Sequence, residues 1–357
     1  MPLVIVAIGV ALLLLLMIRF KLNGFIALIL VALAVGMMQG MPVDKVIGSI
    51  KAGVGGTLGS LALIMGFGAM LGKLLADCGG AQRIATTLID KFGEKHIQWA
   101  VVLTGFTVGF ALFYEVGFVL LLPLVFSIAA SARVPLLFVG VPMAAALSVT
   151  HGFLPPHPGP TAIATLFNAD MGKTLLFGTL LAIPTVILAG PVYARFLKGI
   201  DKPIPKGLYN PKTFTEAEMP SFGVSVWTSL VPVILMALRA VAEMVLPKGH
   251  VILPYAEFLG DPIMATLIAV LIAIFTFGLN RGRSMDDVMG TIADSIKIIA
   301  MMLLIIGGGG AFKQVLVDSG VDKYIASMMH ASNLSPILMA WTIAAVLRIA
   351  LGSATVA

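Results

Sequence analysis

A chain of 357 residues that is 59% hydrophobic and only 11% charged lies far outside soluble globular composition, where about a quarter of residues carry charge. Its net charge of +6 comes from scattered Lys and Arg without a dense basic run, which argues against a nucleic-acid partner and fits the cytoplasmic loops of a polytopic, all-α membrane protein. The single cysteine, Cys78, excludes an intramolecular disulfide and a multi-cysteine metal site, so neither a metal nor a cofactor is expected.

In chain order, apolar stretches able to span a bilayer, or nearly so, lie near 3–18, 23–40, 55–76, 134–167, 174–197, 225–246, 262–279 and 298–317. The first resembles a signal peptide in length, but no basic residue precedes it and Arg19 and Lys21 follow, so it reads as a retained helix running out-to-in. The region 97–131 is apolar but interrupted at Phe113-Tyr114-Glu115-Val116-Gly117. Each half is short for a span of ~20 residues. The reading taken is a re-entrant helical hairpin, the alternative being one kinked span or two thin ones. The region 336–357 repeats that pattern, with Arg348 in one arm and a tip at Gly352-Ser353-Ala354-Thr355.

The stretch 134–167 is one long apolar run broken by Thr150-His151-Gly152-Phe153-Leu154-Pro155-Pro156-His157-Pro158-Gly159-Pro160-Thr161. Proline lacks an N–H and pushes its predecessor into extended geometry, so a helix breaks here. Broken backbone at membrane depth survives only when buried in protein or lining a wet cavity. Gly152, Pro155, Pro156, Pro158, Gly159 and Pro160 are therefore expected to form a hinge beside a binding site. The linker 198–224 is rich in proline and basic residues and reads as cytoplasmic; it separates 1–54 and 55–197 from 225–283 and 284–357.

An internal repeat is visible at an offset of 241 or 242. Asp44–Ile50 matches Asp286–Ile292, Gly66–Ala69 matches Gly308–Ala311, Asp77-Cys78-Gly79 matches Asp318-Ser319-Gly320, and Trp99 matches Trp341. An odd number of crossings lies between the copies, so they have opposite orientation, the inverted-repeat plan of secondary transporters. On this plan Glu115 maps to Ala357, and a complete second copy is expected to need on the order of 80 further residues.

Several residues are candidates for chemistry. Glu115 is a carboxylate in apolar sequence at the hairpin tip, suited to loading and unloading a proton. His151 and His157 both donate and accept near neutral pH, fitting hydroxyl recognition or, for His151, proton relay; their spacing matches no metal motif. Arg348 matches a carboxylate bidentately, and Ser353 and Thr355 offer hydroxyls on a glycine-containing tip. Tyr114, Thr150 and Thr161 complete the expected substrate-binding set, with Asn168 weaker, since hydroxyls in helices commonly bond their own backbone. Arg239 and Glu243, four apart on one helix, are expected to pair structurally. Gly307–Gly310 reads either as an unwound segment or as close helix packing. An organic-anion facilitator and an intramembrane enzyme are the competing classes, and no nucleophile–base or metal constellation supports the enzyme.

On Glu115-Val-Gly-Phe, His151-Gly-Phe-Leu-Pro-Pro-His-Pro-Gly-Pro and Arg348-Ile-Ala-Leu-Gly-Ser-Ala-Thr-Val-Ala, the chain closely resembles the bacterial gluconate permeases of the ion-transporter superfamily, and is most similar to their high-affinity members. The resemblance implies proton-coupled uptake of D-gluconate or a related sugar acid across the bacterial inner membrane. A sodium- or proton-coupled carrier of another small carboxylate is the alternative. It further implies a homodimer with scaffold helices at 1–54 and 225–283, and a moving transport part built from the repeats at 55–197 and 284–357. The two hairpin tips and the His151–Pro160 break would line the site.

Overall fold

The computed structural model describes residues 2–93, 96–131, 133–200, 214–247, 249–321, 323–324, 335, 337–338, 340–342 and 344–345. Every regular element among them is helical. The helices are α1 (Pro2–Leu14), α2 (Gly24–Met38), α3 (Val43–Asp77), α4 (Gly80–Phe92), α5 (Ile97–Gly109), α6 (Tyr114–Ser131) and α7 (Leu136–Phe153). They continue as α8 (Pro158–Leu166), α9 (Met171–Ile187), α10 (Tyr193–Phe196), α11 (Phe222–Val245), α12 (Leu253–Leu259), α13 (Pro262–Ala273) and α14 (Met285–Asp318). Among the described residues, Leu136–Phe153, Met171–Phe196, Phe222–Val245, Pro262–Arg281 and Met285–Asp318 are long and apolar enough to cross a membrane. Val43–Gly59 and Leu61–Asp77, bent by 42°, make a sixth if taken as one span. The protein is a multi-pass helical membrane protein.

Helix starts follow local chemistry. Asn23, Asp170, Ser221 and Asp261 each accept a hydrogen bond from a backbone N–H in the first turn of α2, α9, α11 and α13. Each such cap contributes about 1 kcal/mol by satisfying an orphan donor. Helices α3 and α14 begin well before the apolar stretches expected at 55–76 and 298–317, because their more polar first thirds at 43–54 and 285–297 contain no proline to stop a helix. The expected boundary between 54 and 55 therefore falls inside α3, whose bend lies at the Gly59-Ser60 pair.

The chain forms two compact units, 1–62 with 299–357 and 63–298. In the first, α3 and α14 run antiparallel. Ser49 Oγ lies 2.5 Å from Asp318 Oδ2, while Gly53 meets Gly310 and Leu58 meets Gly307. Gly307–Gly310 remain helical, and Gly307, Gly308 and Gly310 serve close packing: a β-carbon at Gly310 would collide with the Gly53 carbonyl and Thr57. In the second unit the continuations of the same two helices also run antiparallel, with Gly66 facing the Ile296 side chain.

Repeat-related positions have the same local geometry. Gly36 packs on Val46 in one unit, and Gly278 packs on Val288 in the other, at the same offset. Gly40 and Gly282 both take positive φ, +84° and +76°, as do Gly79 and Gly320, +76° and +79°. The repeat thus reaches upstream at least to Gly36. The sequence identity begins only at Asp44 because the turn residues before it, apart from the glycine, differ.

The core of the second unit holds the hairpin. Helix α5 runs parallel to α7: Gln98 Nε2 donates to Phe138 O at 2.9 Å, Gly105 abuts Met143 and Ala146, and Gly109 abuts Thr150. Helix α6 returns antiparallel to α7, with Gly117 on Leu147 and Gly140 on Val125. Both open ends of 97–131 therefore lie at the start of α7, and the tip lies at its end. Helix α9 runs antiparallel to α7 on another side, with Gly178 on the Phe153 carbonyl and Gly190 on Pro142.

Candidate functional site

The helix breaks where the prolines cluster, but over fewer residues than the sequence suggested. Only Leu154–His157 leave the helix; Gly152 stays in α7, and Pro158, Gly159 and Pro160 form the first turn of α8. The first turn tolerates proline because its N–H groups have no intrahelical acceptor. Pro155 and Pro156 are joined by a cis peptide bond.

This break meets the tip of the α5–α6 hairpin. His157, the residue before α8, is 2% exposed, and its Nε2 lies 2.6 Å from Gly109 O, the last residue of α5. Because a carbonyl only accepts, His157 Nε2 is the donor in this contact. His157 Nδ1 is buried without a partner among the described residues, and so is Thr161 Oγ1 one turn along α8. His151 sits on the last turn of α7, its ring centroid 5.0 Å from that of His157. The Tyr114 backbone N–H donates to His151 Nδ1 at 3.5 Å, so the start of α6 is tied to the end of α7. Phe113 closes the cluster, with its ring 6.0 Å from each imidazole. The Tyr114 ring stacks on Phe118 at 5.7 Å.

The other expected residues fare differently. Thr150 is fully buried, its hydroxyl within 3.0 Å of Ala146 O and 2.9 Å of Leu147 O in its own helix and packed on Gly109. Asn168 takes positive φ, +51°, beyond the end of α8. Glu115 is the second residue of α6, directly after the break at the tip. Arg348, Ser353 and Thr355 lie outside the described residues. Arg239 does pair with Glu243, at 2.8 Å, and also approaches Asp170 at 3.9 Å, bracing α11 against the start of α9.

Two site residues escaped sequence reasoning. Gly109 supplies the carbonyl for His157 and the gap for Thr150; Phe113 packs on both histidines. The sequence signal near them was the interruption at 113–117; the structure places the non-helical tip slightly earlier, at 110–113, with Tyr114 and Glu115 already in α6. A cavity of about 10 Å³, the room of about one water, borders the tip, lined by Gly68, Ala69, Gly72, Lys73, Ala111–Phe113 and Ser295.

Such an arrangement joins two interrupted helices around buried, unsatisfied polar atoms. Buried polar groups normally have partners. A hydroxylated solute entering here would satisfy them; among the described residues no nucleophile–base pair accompanies them.

A family model described as GntP family permease matches residues 1–357. Over 357 residues the chain is 88% identical to the "High-affinity gluconate transporter" of Escherichia coli (strain K12), covering 100% of this chain and 82% of that protein. It is 62% identical to the "Gnt-II system L-idonate transporter" of the same organism, covering 100% of this chain and 81% of that one. With the "Gluconate permease" of Bacillus subtilis (strain 168) it shares 51% identity over 370 aligned positions, covering 100% and 82%.

Proposed function

The chain belongs to the GntP family of permeases, transporters and not enzymes, and on that premise we propose that it is a secondary active transporter taking up D-gluconate or a related sugar acid together with protons. It works in the bacterial inner membrane as a homodimer, by alternating access of elevator type. The α5–α6 hairpin is re-entrant and moves with the broken helix α7–α8. The names of the relatives, two of them for gluconate and one for L-idonate, support the substrate class.

One observation carries the reading. The hairpin tip and the helix break are bonded through His157 Nε2 and Gly109 O, with His157 Nδ1 and Thr161 Oγ1 left buried and unpartnered beside them. A sugar acid carries a row of hydroxyls that both donate and accept, which is the chemistry those atoms lack. His151, His157, Thr161 and Tyr114 line the hydroxyl end and Thr150 seats the tip; Arg348, Ser353 and Thr355 are further candidate substrate ligands. Pro155 and Pro156, between the helices, act as the hinge, with Gly152 at the end of α7 and Pro158, Gly159 and Pro160 at the start of α8 flanking it. Glu115 carries the coupled proton, with His151 as relay, since a carboxylate in apolar sequence is costly unless it exchanges a proton or is paired.

Accumulation of labelled gluconate in energised membrane vesicles tests this. A protonophore is expected to abolish accumulation, and Glu115→Gln is expected to retain counterflow exchange while losing accumulation. Uptake that survives the protonophore and follows a sodium gradient would reject proton coupling. Unlabelled L-idonate is expected to compete.

A further inference from the structure

Lys73 stands one turn before the end of α3, at the level of the hairpin tip. A β-carbon on its neighbour Gly72 would fall 2.6 Å from the Ala111 carbonyl oxygen. Lys73 itself lines the cavity against Ala111, Leu112 and Phe113, together with buried Ser295. From α3 the cavity is lined by Gly68, Ala69, Gly72 and Lys73, and of these residues only Lys73 carries a charge. Phe113 belongs to both neighbourhoods: it lines the cavity, and its ring packs on His151 and His157.

Lys73 Nζ donates to Asp77 at 2.8 Å, with both side chains about one-third exposed. Asp294 is also within electrostatic reach, and is itself paired with Lys297 at 2.7 Å. A partly exposed i,i+4 pair is weak, and weaker still with the cation N-terminal to the acid. It yields readily to a competing carboxylate.

The internal repeat separates brace from charge. At the equivalent position in the second copy, Gln314 Nε2 donates to Asp318 Oδ1 at 2.9 Å, the same bond made by a neutral amide. Steadying this helix end therefore needs a donor but no cation. The charge at 73 is surplus to that task, and it occurs where an anionic solute would reach the tip.

We propose that Lys73 takes the carboxylate of the sugar acid when the hairpin tip parts from Gly72, exchanging Asp77 for substrate, while the hydroxyl end lies beyond Phe113 at the histidine pair. This rests on the sugar-acid reading of the site and deepens it. It makes Lys73 the residue that selects the acid over its neutral analogues.

The test is ligand binding to the purified full chain, read as competition with labelled gluconate by gluconate and by uncharged gluconamide. K73Q keeps the bond that Gln314 makes and removes the charge. It is expected to weaken gluconate at least about tenfold and gluconamide less than about twofold. D77N, which frees the ammonium, is expected to tighten gluconate by about threefold, and it decides the matter alone should K73Q not reach the membrane. Equal losses for both ligands in K73Q, or weaker gluconate binding in D77N, would mean a brace only and overturn the proposal. Absence of accumulation by wild-type vesicles, with binding and its Lys73 dependence intact, would instead reject the transport reading alone.

Discussion

At the scale of single residues, the site depends on places where a side chain is absent. Gly109 ends α5 against Thr150, and any β-carbon there would run into the threonine hydroxyl. Its carbonyl is also the partner of His157. Gly109→Ala therefore overpacks the junction of tip and break, and is expected to cost about 1–3 kcal/mol of stability and most of the transport. Thr150→Ala in the same chain removes the colliding oxygen and is expected to recover part of both. Thermal unfolding in detergent and vesicle uptake check this. A double variant no better than Gly109→Ala would show that the collision is not the cause.

At the scale of elements, α4 joins α3 to the hairpin and is held by the end of the linker. Gln82 exchanges two hydrogen bonds with the backbone of Phe214, each 3.1 Å, and Arg83 donates to the carbonyls of Glu216 and Pro220 at 2.6 and 3.0 Å. Arg281 reaches the Ala217 carbonyl at 2.6 Å. Gly79, with φ +76°, lets Phe214 and Met219 pack directly on the turn before α4. The segment is thus gripped through its backbone, and removal of two side chains should release it. Gln82→Ala/Arg83→Ala is expected to speed cleavage by a Glu-specific protease at Glu216 and Glu218 at least about tenfold, a population shift of about 1.4 kcal/mol. Unchanged cleavage would mean that Arg281 and the apolar contacts hold the segment unaided.

At the scale of the whole molecule, the repeat is written in backbone as well as in sequence. The Gly36–Val46 and Gly278–Val288 contacts are equivalent, yet they lie in different compact units. Gly36→Ala and Gly278→Ala are each expected to cost about 1–3 kcal/mol by overpacking, and to add within about 0.5 kcal/mol when combined, because the sites share no neighbour. Val46→Ala and Val288→Ala should each rescue only its own partner. Cross-rescue, or a large departure from additivity, would show that the two contacts are not independent copies.

The residues alone determined the class of molecule. Hydropathy set the membrane helices, prolines at 155, 156, 158 and 160 set the break, and the repeated Asp-x-Val and Gly-x-x-Ala segments disclosed two copies. These signals are legible because each acts within a turn or two of chain: burying apolar surface in lipid and losing a backbone donor need no distant partner. The polar first thirds of α3 and α14 were not legible, because hydropathy carries no signal for a helix that continues past its apolar span. Packing alone decided that His157 meets Gly109 forty-eight residues away, and that Phe113 both packs on the histidines and lines the cavity beside Lys73. Such meetings depend on how the hairpin lies along α7, which is set by the small residues Gly105, Gly109 and Gly117 at the helix contacts.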